Sequence, residues 1–240
     1  MRTIGVDLAV AARTTAAAEI IWGQHVAVVG PARQGCTDHE VLDLLSSLGP
    51  GDRAGIDCPF GWPVDFAEAV HAHTHQDPWP GRGRDRAEHY AGLRLRRTDL
   101  RVRQVASGRP LSVSFDKLGA TAARWAYLAD ALAVDGRPVD RVGAGTVVEV
   151  YPAASRVQWG LGPGRSMQEL LQLAPWLECS EELRRAYDAS EHAFDALIAA
   201  LTARAAALGL TARPEGEEVA LAEWEGWIHL PERESLPCLA

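Results

Sequence analysis

Three runs rich in β-branched and small apolar residues fill the first thirty positions, and the links between them are too short to hold more than a turn. Residues 3–9, 14–22 and 25–30 read as strands. The turn at Ala11 to Arg13, and the Gly23-Gln24 link between Ile20-Ile21-Trp22 and Val26-Ala27-Val28-Val29, force an antiparallel meander. Thr37-Asp38-His39-Glu40 then has the form of a capping box. It leads into Val41, Leu42, Leu44, Leu45 and Leu48, an amphipathic helix closed by Gly49-Pro50-Gly51. Residues 53–58 form a fourth strand, and a strand reached through a crossover helix is expected to lie parallel to the first.

Beyond Phe60 the strand signal disappears until about Asp140. This stretch mixes Pro- and Gly-rich turns with helical segments such as 94–105 and 120–132, and reads as a helical insertion at about 60–140. Residues 142–152, with Thr146-Val147-Val148-Glu149-Val150-Tyr151 before Pro152, return as a strand; 166–173 and 181–208 are expected to be helical. The order is three antiparallel strands, a helix, a strand, an insertion, a strand and a long helix. It predicts an α/β fold, a ribonuclease H-like mixed five-stranded sheet flanked by helices, in a single domain over 1–240 with the insertion between strands four and five.

Two of these strands end in an acid. Thr3-Ile4-Gly5-Val6-Asp7 and Ala54-Gly55-Ile56-Asp57 would set Asp7 and Asp57 side by side. An unpaired buried carboxylate costs several kcal/mol, roughly, unless it is neutralised, hydrogen-bonded or bound to a metal. Asp195, in the apolar run Phe194 to Ile198, is the third candidate, with Glu149 and Glu191 as possible additions. Two divalent cations about 3.5–4 Å apart can activate a water and stabilise a leaving oxygen, and such ions are held by several carboxylates. Each acid also has a plainer reading. Asp7 could accept backbone amides, Asp57 could serve the turn into Cys58-Pro59, and Asp195 could face solvent. Glu149 could be a surface acid of an edge strand, and Asp188 with Glu191 resembles a capping pair.

The charge pattern points in the same direction. The chain carries a net charge of −8, yet residues 82–103 hold eight Arg against Asp85, Glu88 and Asp99. Arg94, Arg97 and Arg101 are expected to share a helical face suited to phosphate oxygens, with Asp99 orienting a neighbour or joining the acidic site. The alternative is a solvated face paired with acids elsewhere. With Lys117 the only lysine there is no Gly-Lys-Ser/Thr, so a Walker-type loop is excluded. There is no Gly-x-Ser-x-Gly elbow and no His-Glu-x-x-His. His71, His73 and His75 alternate, but no matching Cys or His pair lies downstream to complete a zinc site, and the Ala-rich surroundings look helical. Cys36, Cys58, Cys179 and Cys238 are scattered, as expected of a reduced, cytoplasmic protein, and no run is long and apolar enough to imply a membrane partner.

Several blocks together resemble a known family. Gly5-Val6-Asp7, Gly55-Ile56-Asp57-Cys58-Pro59-Phe60-Gly61-Trp62-Pro63, Arg97-Thr98-Asp99, Val148-Glu149-Val150-Tyr151-Pro152, Glu191-His192-Ala193-Phe194-Asp195 and Glu225-Gly226-Trp227-Ile228 are similar to the signature blocks of the domain of unknown function 429 family. The resemblance spans nearly the whole chain. It implies a predicted nuclease of ribonuclease H-like fold, with Asp7, Asp57 and Asp195 at the family's acidic positions and Glu149 less securely placed.

The expectation is a Mg²⁺- or Mn²⁺-dependent nuclease or phosphodiesterase. Asp7, Asp57 and Asp195 would be catalytic, these three with Glu149 and Glu191 would hold metal, and Arg94, Arg97, Arg101 and Asp99 would meet a nucleic acid or nucleotide through the 82–103 segment. Two other classes stay open: a phosphotransferase or ATPase on the same fold, although residues 8–14 contain no Gly for a phosphate hairpin, and a non-catalytic nucleic-acid-binding module.

Overall fold

The structure, a computed structural model, describes residues 1–105 and 110–240. Its elements in chain order begin with β1 (Arg2–Asp7), β2 (Ala16–Trp22), β3 (Ala27–Val29), β4 (Arg33–Gln34), α1 (Asp38–Ser46) and β5 (Arg53–Asp57). Helices α2 (Val64–Thr74), α3 (Arg86–Arg94), α4 (Arg97–Val105) and α5 (Leu118–Val134) precede β6 (Val147–Glu149). There follow α6 (Pro152–Gln158), α7 (Met167–Leu173), β7 (Leu177–Glu178), α8 (Glu181–Asp188), α9 (Glu191–Ala207) and α10 (Glu217–Glu225).

The fold is a mixed α/β sheet with helices on its faces. The strand order is β6-β5-β1-β2-β3-β7, with β4 added beside β2. β1, β2 and β3 form the antiparallel meander, while β5 runs parallel to β1 and β6 parallel to β5. Among the described residues the sheet has seven strands where five were expected. The additional β4 and β7 are two residues each, too short to show any alternation. Residues 142–152 contribute only the three-residue β6.

Strand parity sorts the core into two layers. Ile4, Val6, Ala54 and Ile56 face α1 and α5, where Val41, Leu44, Trp125 and Leu128 cover them. Helix α5 therefore belongs to the layer that closes the sheet, and the 60–140 segment is not an appendage throughout. On the other face lies α9, apolar on nearly all sides and accordingly buried. Phe194, Leu197, Ile198 and Leu201 are at most 1% exposed, and each such burial contributes about 1.5–3 kcal/mol.

Gly5 and Gly55 let α9 come this close. They are register partners on β1 and β5, and a methyl group on either would overlap α9 backbone, at Ala196 and Ala200 for Gly5 and at Ala199 for Gly55. Ala196, Ala199, Ala200 and Ala203 supply the matching small surface of the helix.

The expected helix over 181–208 is two helices. Ser190 is extended and its Oγ accepts the Ala193 N–H at 3.2 Å, so Ser190 is the cap of α9, not Asp188 with Glu191. Asp188 instead accepts the Met167 N–H at 2.7 Å, across to α7. The expected capping box at Thr37 and Glu40 is formed at the start of α1. Among the described residues no helix is long and apolar enough to cross a membrane.

Candidate active site

Asp7 and Asp57 are the last residues of β1 and β5, and the parallel register sets them directly opposite each other. Neighbouring strands lie about 4.8 Å apart, so the two carboxylates leave the sheet as neighbours. Both line a cleft of about 210 Å³ together with Cys58, Tyr151, Leu111 and Leu118. By parity they lie on the same side of the sheet as Gly5 and Gly55, the side that α9 covers.

Helix α9 brings further groups to this point. His192 Nδ1 lies 2.6 Å from Asp7 Oδ2. Asp195 does not line the cleft, but its charge acts on both Asp7 and Asp57. Its Oδ1 is buried with no hydrogen-bond partner among the described residues, and Arg156 Nη2 stands 3.9 Å from it. Arg156 Nη1 is likewise buried and unpartnered.

Electrostatics follow from this crowding. Burial pushes the Asp7 carboxyl up to about 6, against the lowering pull of the His192 hydrogen bond and charge, and Asp195 and Glu191 add to the rise. Burial, then the charges of Asp7, Asp195 and Glu149, hold Asp57 well above the usual carboxylate range. Asp57 keeps some surface at the cleft mouth, yet protein surrounds it closely enough for desolvation to dominate. Asp195 is also raised, first by burial, while Arg156 and Arg165 pull the other way. Burial and then the Asp57 charge raise the Tyr151 phenol.

Glu149 lines the same cleft from the other side, with Arg96 and Asp99. Register pairs it with Ile56, so it leaves the sheet on the face opposite Asp57. It is 2% exposed and locked to Arg96, with Oε1 2.7 Å from Nη2 and Oε2 3.0 Å from Nη1, and Oε2 also accepts the Phe60 N–H. Its oxygens thus answer first to Arg96 and to the Phe60 amide. Glu191 is exposed at the start of α9 and paired with Arg165; it does not line the cleft, but its charge acts on Asp7 and Asp195.

The basic segment also differs from expectation. Arg94, Arg97 and Arg101 do not share a helical face, because the chain breaks at Leu95-Arg96 between α3 and α4. Arg96, which the sequence reading passed over, turns inward. Its guanidinium donates to Asp99 through Nε at 3.2 Å and Nη2 at 3.0 Å, to Glu149 through both Nη atoms, and to the Glu225 carbonyl through Nη1 at 2.9 Å. All five of its N–H donors are thereby used. Burial alone would weaken its charge, but Asp99 and Glu149 hold it more firmly protonated than usual. Asp99, which also lines the cleft, spends its oxygens on Arg96. Arg101 pairs with Glu218 at 2.9 Å and lies over the Trp227 ring. Arg94 and Arg97 keep exposed side chains.

Glu225 completes the junction. Its two oxygens accept the first N–H groups of α2, from Val64 at 3.0 Å, and of α4, from Arg97 at 2.7 Å. A carboxylate there complements both helix dipoles. His71, His73 and His75 sit on and just after α2, in helical geometry as expected. His192 and Arg156 were the residues missed as functional candidates. His192 carried one signal, its place three residues before Asp195; Arg156 carried none.

Carboxylate oxygens are hard donors of the kind Mg²⁺ and Mn²⁺ take. Asp57 has no hydrogen-bonded side-chain partner among the described residues, and Asp195, whose charge acts on it, has an orphaned Oδ1. This donor set fits such an ion. Among the described residues no three His, Cys, Asp or Glu side chains converge into a ready cage. Two carboxylates with the remaining positions left to water is the arrangement Mg²⁺ commonly adopts.

The model of one protein family, described as "Protein of unknown function (DUF429)", matches residues 5–219. No curated protein and no solved structure matches the chain.

Proposed function

The chain belongs to the DUF429 family of proteins of unknown function, and from that premise we propose that it is a divalent-metal-dependent phosphodiesterase acting on nucleic acid. The observation that carries this reading is the pair Asp7 and Asp57, set in register on adjacent parallel strands at the end of a cleft. Both are pushed toward protonation by burial, Asp57 further by the charge of Asp7 and Asp7 further by the charges of Asp195 and Glu191, with no arginine of the chain forked onto either among the described residues. A bound divalent cation would remove that penalty. The sheet order β3-β2-β1-β5-β6, antiparallel over its first three strands and parallel thereafter, supports a ribonuclease H-like architecture for the same site.

Asp7 and Asp57 are the residues that would hold the ion, with Asp195 reaching it directly or through water. When bound, Mg²⁺ or Mn²⁺ supplies a water acidic enough to attack near neutral pH and a positive charge for the phosphoryl oxygens. The protein's own contribution is threefold. Asp7 and Asp57 fix the position of the reaction at the strand ends. The His192–Asp7 contact gives the site a short proton path toward solvent, since His192 is 41% exposed while Asp7 is 16%. Arg156, held beside Asp195, keeps a positive group close to the acids and limits their mutual repulsion.

Anomalous scattering from crystals soaked in Mn²⁺ tests ligation, and cleavage of labelled single- and double-stranded RNA and DNA with Mn²⁺ and then chelator tests chemistry. We expect a peak between Asp7 and Asp57, cleavage that stops in chelator, and a folded but inactive Asp7→Asn variant. Chelator-resistant cleavage, or full activity in Asp7→Asn, would remove these carboxylates from the mechanism.

A further inference from the structure

We propose that the outer face of α3 and the turn at 112–116 form a stacking platform for single-stranded nucleic acid, placed beside the carboxylate cleft. The proposal names the substrate class for the phosphodiesterase read above and rests on that reading for its purpose.

Two aromatic rings stand in water where packing does not require them. Tyr90 is 52% exposed and Phe115 45%, and their rings stack with centroids 5.4 Å apart and planes 14° from parallel. Phe66 of α2 meets Phe115 edge-on at 5.7 Å, behind the stack. The arrangement is rigidly built. Ser112 is fully buried, its Oγ donates to the Arg94 carbonyl at 2.6 Å and accepts the Phe115 N–H at 3.0 Å, and its own N–H is taken by Asp116 at 2.7 Å. The turn that presents Phe115 is therefore tied to the C-terminal end of the helix that presents Tyr90.

Charge identifies the occupant. Arg86, Tyr90 and Arg94 follow one another at four-residue spacing, so they form one exposed stripe of α3. Neither Arg86 nor Arg94 is among the arginines that pair with an acid in the described residues. This stripe lies in the one strongly basic segment of a chain whose net charge is −8. A cation on each side of an aromatic pair suits a polymer that alternates phosphates with flat rings. Only a strand with unpaired bases can offer those ring faces, since a duplex keeps them stacked inside.

Position links the platform to the chemistry. Leu111, itself 52% exposed, and Leu118 flank the 112–116 turn, and both line the cleft that holds Asp7 and Asp57. A strand stacked on Phe115 and Tyr90 therefore passes the cleft mouth.

The test is fluorescence anisotropy of a labelled oligothymidylate and of a duplex of equal length, both in chelator so that no cleavage occurs. We expect the single strand to bind more tightly than the duplex. The double variant Tyr90→Ala/Phe115→Ala should lose roughly tenfold or more in affinity, and Tyr90→Phe should retain it. Arg86→Gln/Arg94→Gln should weaken binding and flatten its salt dependence by about two phosphate contacts. Equal binding of duplex, an unaffected Tyr90→Ala/Phe115→Ala variant, or Tyr90-dependent self-association without oligonucleotide binding would each overturn the platform; the last would mark a protein contact. Single-strand binding without any Mn²⁺-dependent cleavage leaves the platform standing and removes the phosphodiesterase. Cleavage indifferent to Tyr90 and Phe115 does the reverse.

Discussion

His192 Nδ1 lies 2.6 Å from Asp7 Oδ2, so the first turn of α9 delivers an imidazole to the last residue of β1. The contact ties a group half in solvent to a carboxyl that burial has made reluctant to ionise.

This pair sets a pH dependence. Asp7 is held at about 6 instead of 3.8, so in its ionised form it costs the folded state about 3 kcal/mol. Between these two values the folded chain keeps a proton that the unfolded chain has lost. The Asp7 contribution to stability therefore falls as pH rises from about 4 to 6 and is constant below. Asp7→Asn cannot lose that proton, so its unfolding free energy minus that of the wild type should grow by about 3 kcal/mol across the window. Because His192 lowers the folded Asp7 value and leaves the unfolded one alone, His192→Ala should raise the upper edge of the window and widen it. Urea unfolding in chelator at stepped pH measures both; a flat difference would show Asp7 to be an ordinary surface carboxylate.

Arg96 gives a second expectation. Replacing it with Met strands Asp99 and Glu149 in the interior without a counter-charge, and should destabilise the fold by about 3–5 kcal/mol. Arg96→Lys should recover little, because one ammonium has three donors and cannot reproduce the two-sided fork. Denaturant titration of the three proteins decides this, and a near-wild-type Lys variant would show that charge alone suffices.

Gly5 gives a third. A methyl group there overlaps the α9 backbone, which cannot rotate away as a side chain can, so Gly5→Ala should cost about 3 kcal/mol or more. Gly164, with open space around its added methyl, should tolerate Ala almost without effect. Thermal melts of the two variants make the comparison, and equal midpoints would contradict the close approach.

Much of the sheet was legible because its signals are local. The links around Ala12 and Gly23 admit only hairpins, the Thr37–Glu40 box fixes the start of α1, and a crossover helix between β1 and β5 favours the parallel pairing that joins Asp7 to Asp57. What was not legible depends on distant partners. The break between α3 and α4 follows from Arg96 turning in toward Glu149, 53 residues away, which no helical periodicity can reveal. The face that Glu149 presents depends on its register with Ile56, and its pairing on Arg96, 53 positions away. Nothing within the strands marks what Gly5 and Gly55 are for. Both touch a helix that follows in the chain well over a hundred positions later.

That contact has a bearing on how the site tolerates change. His192 and Asp195 ride on a rod whose main chain rests on bare main chain at Gly5 and Gly55, with no side chain interposed to vary in size. The distance between the two halves of the acidic centre is thereby set by the van der Waals contact of two main chains. Remodelling of the arginine-bearing helices above the cleft would alter what the molecule grips while leaving that distance as it is.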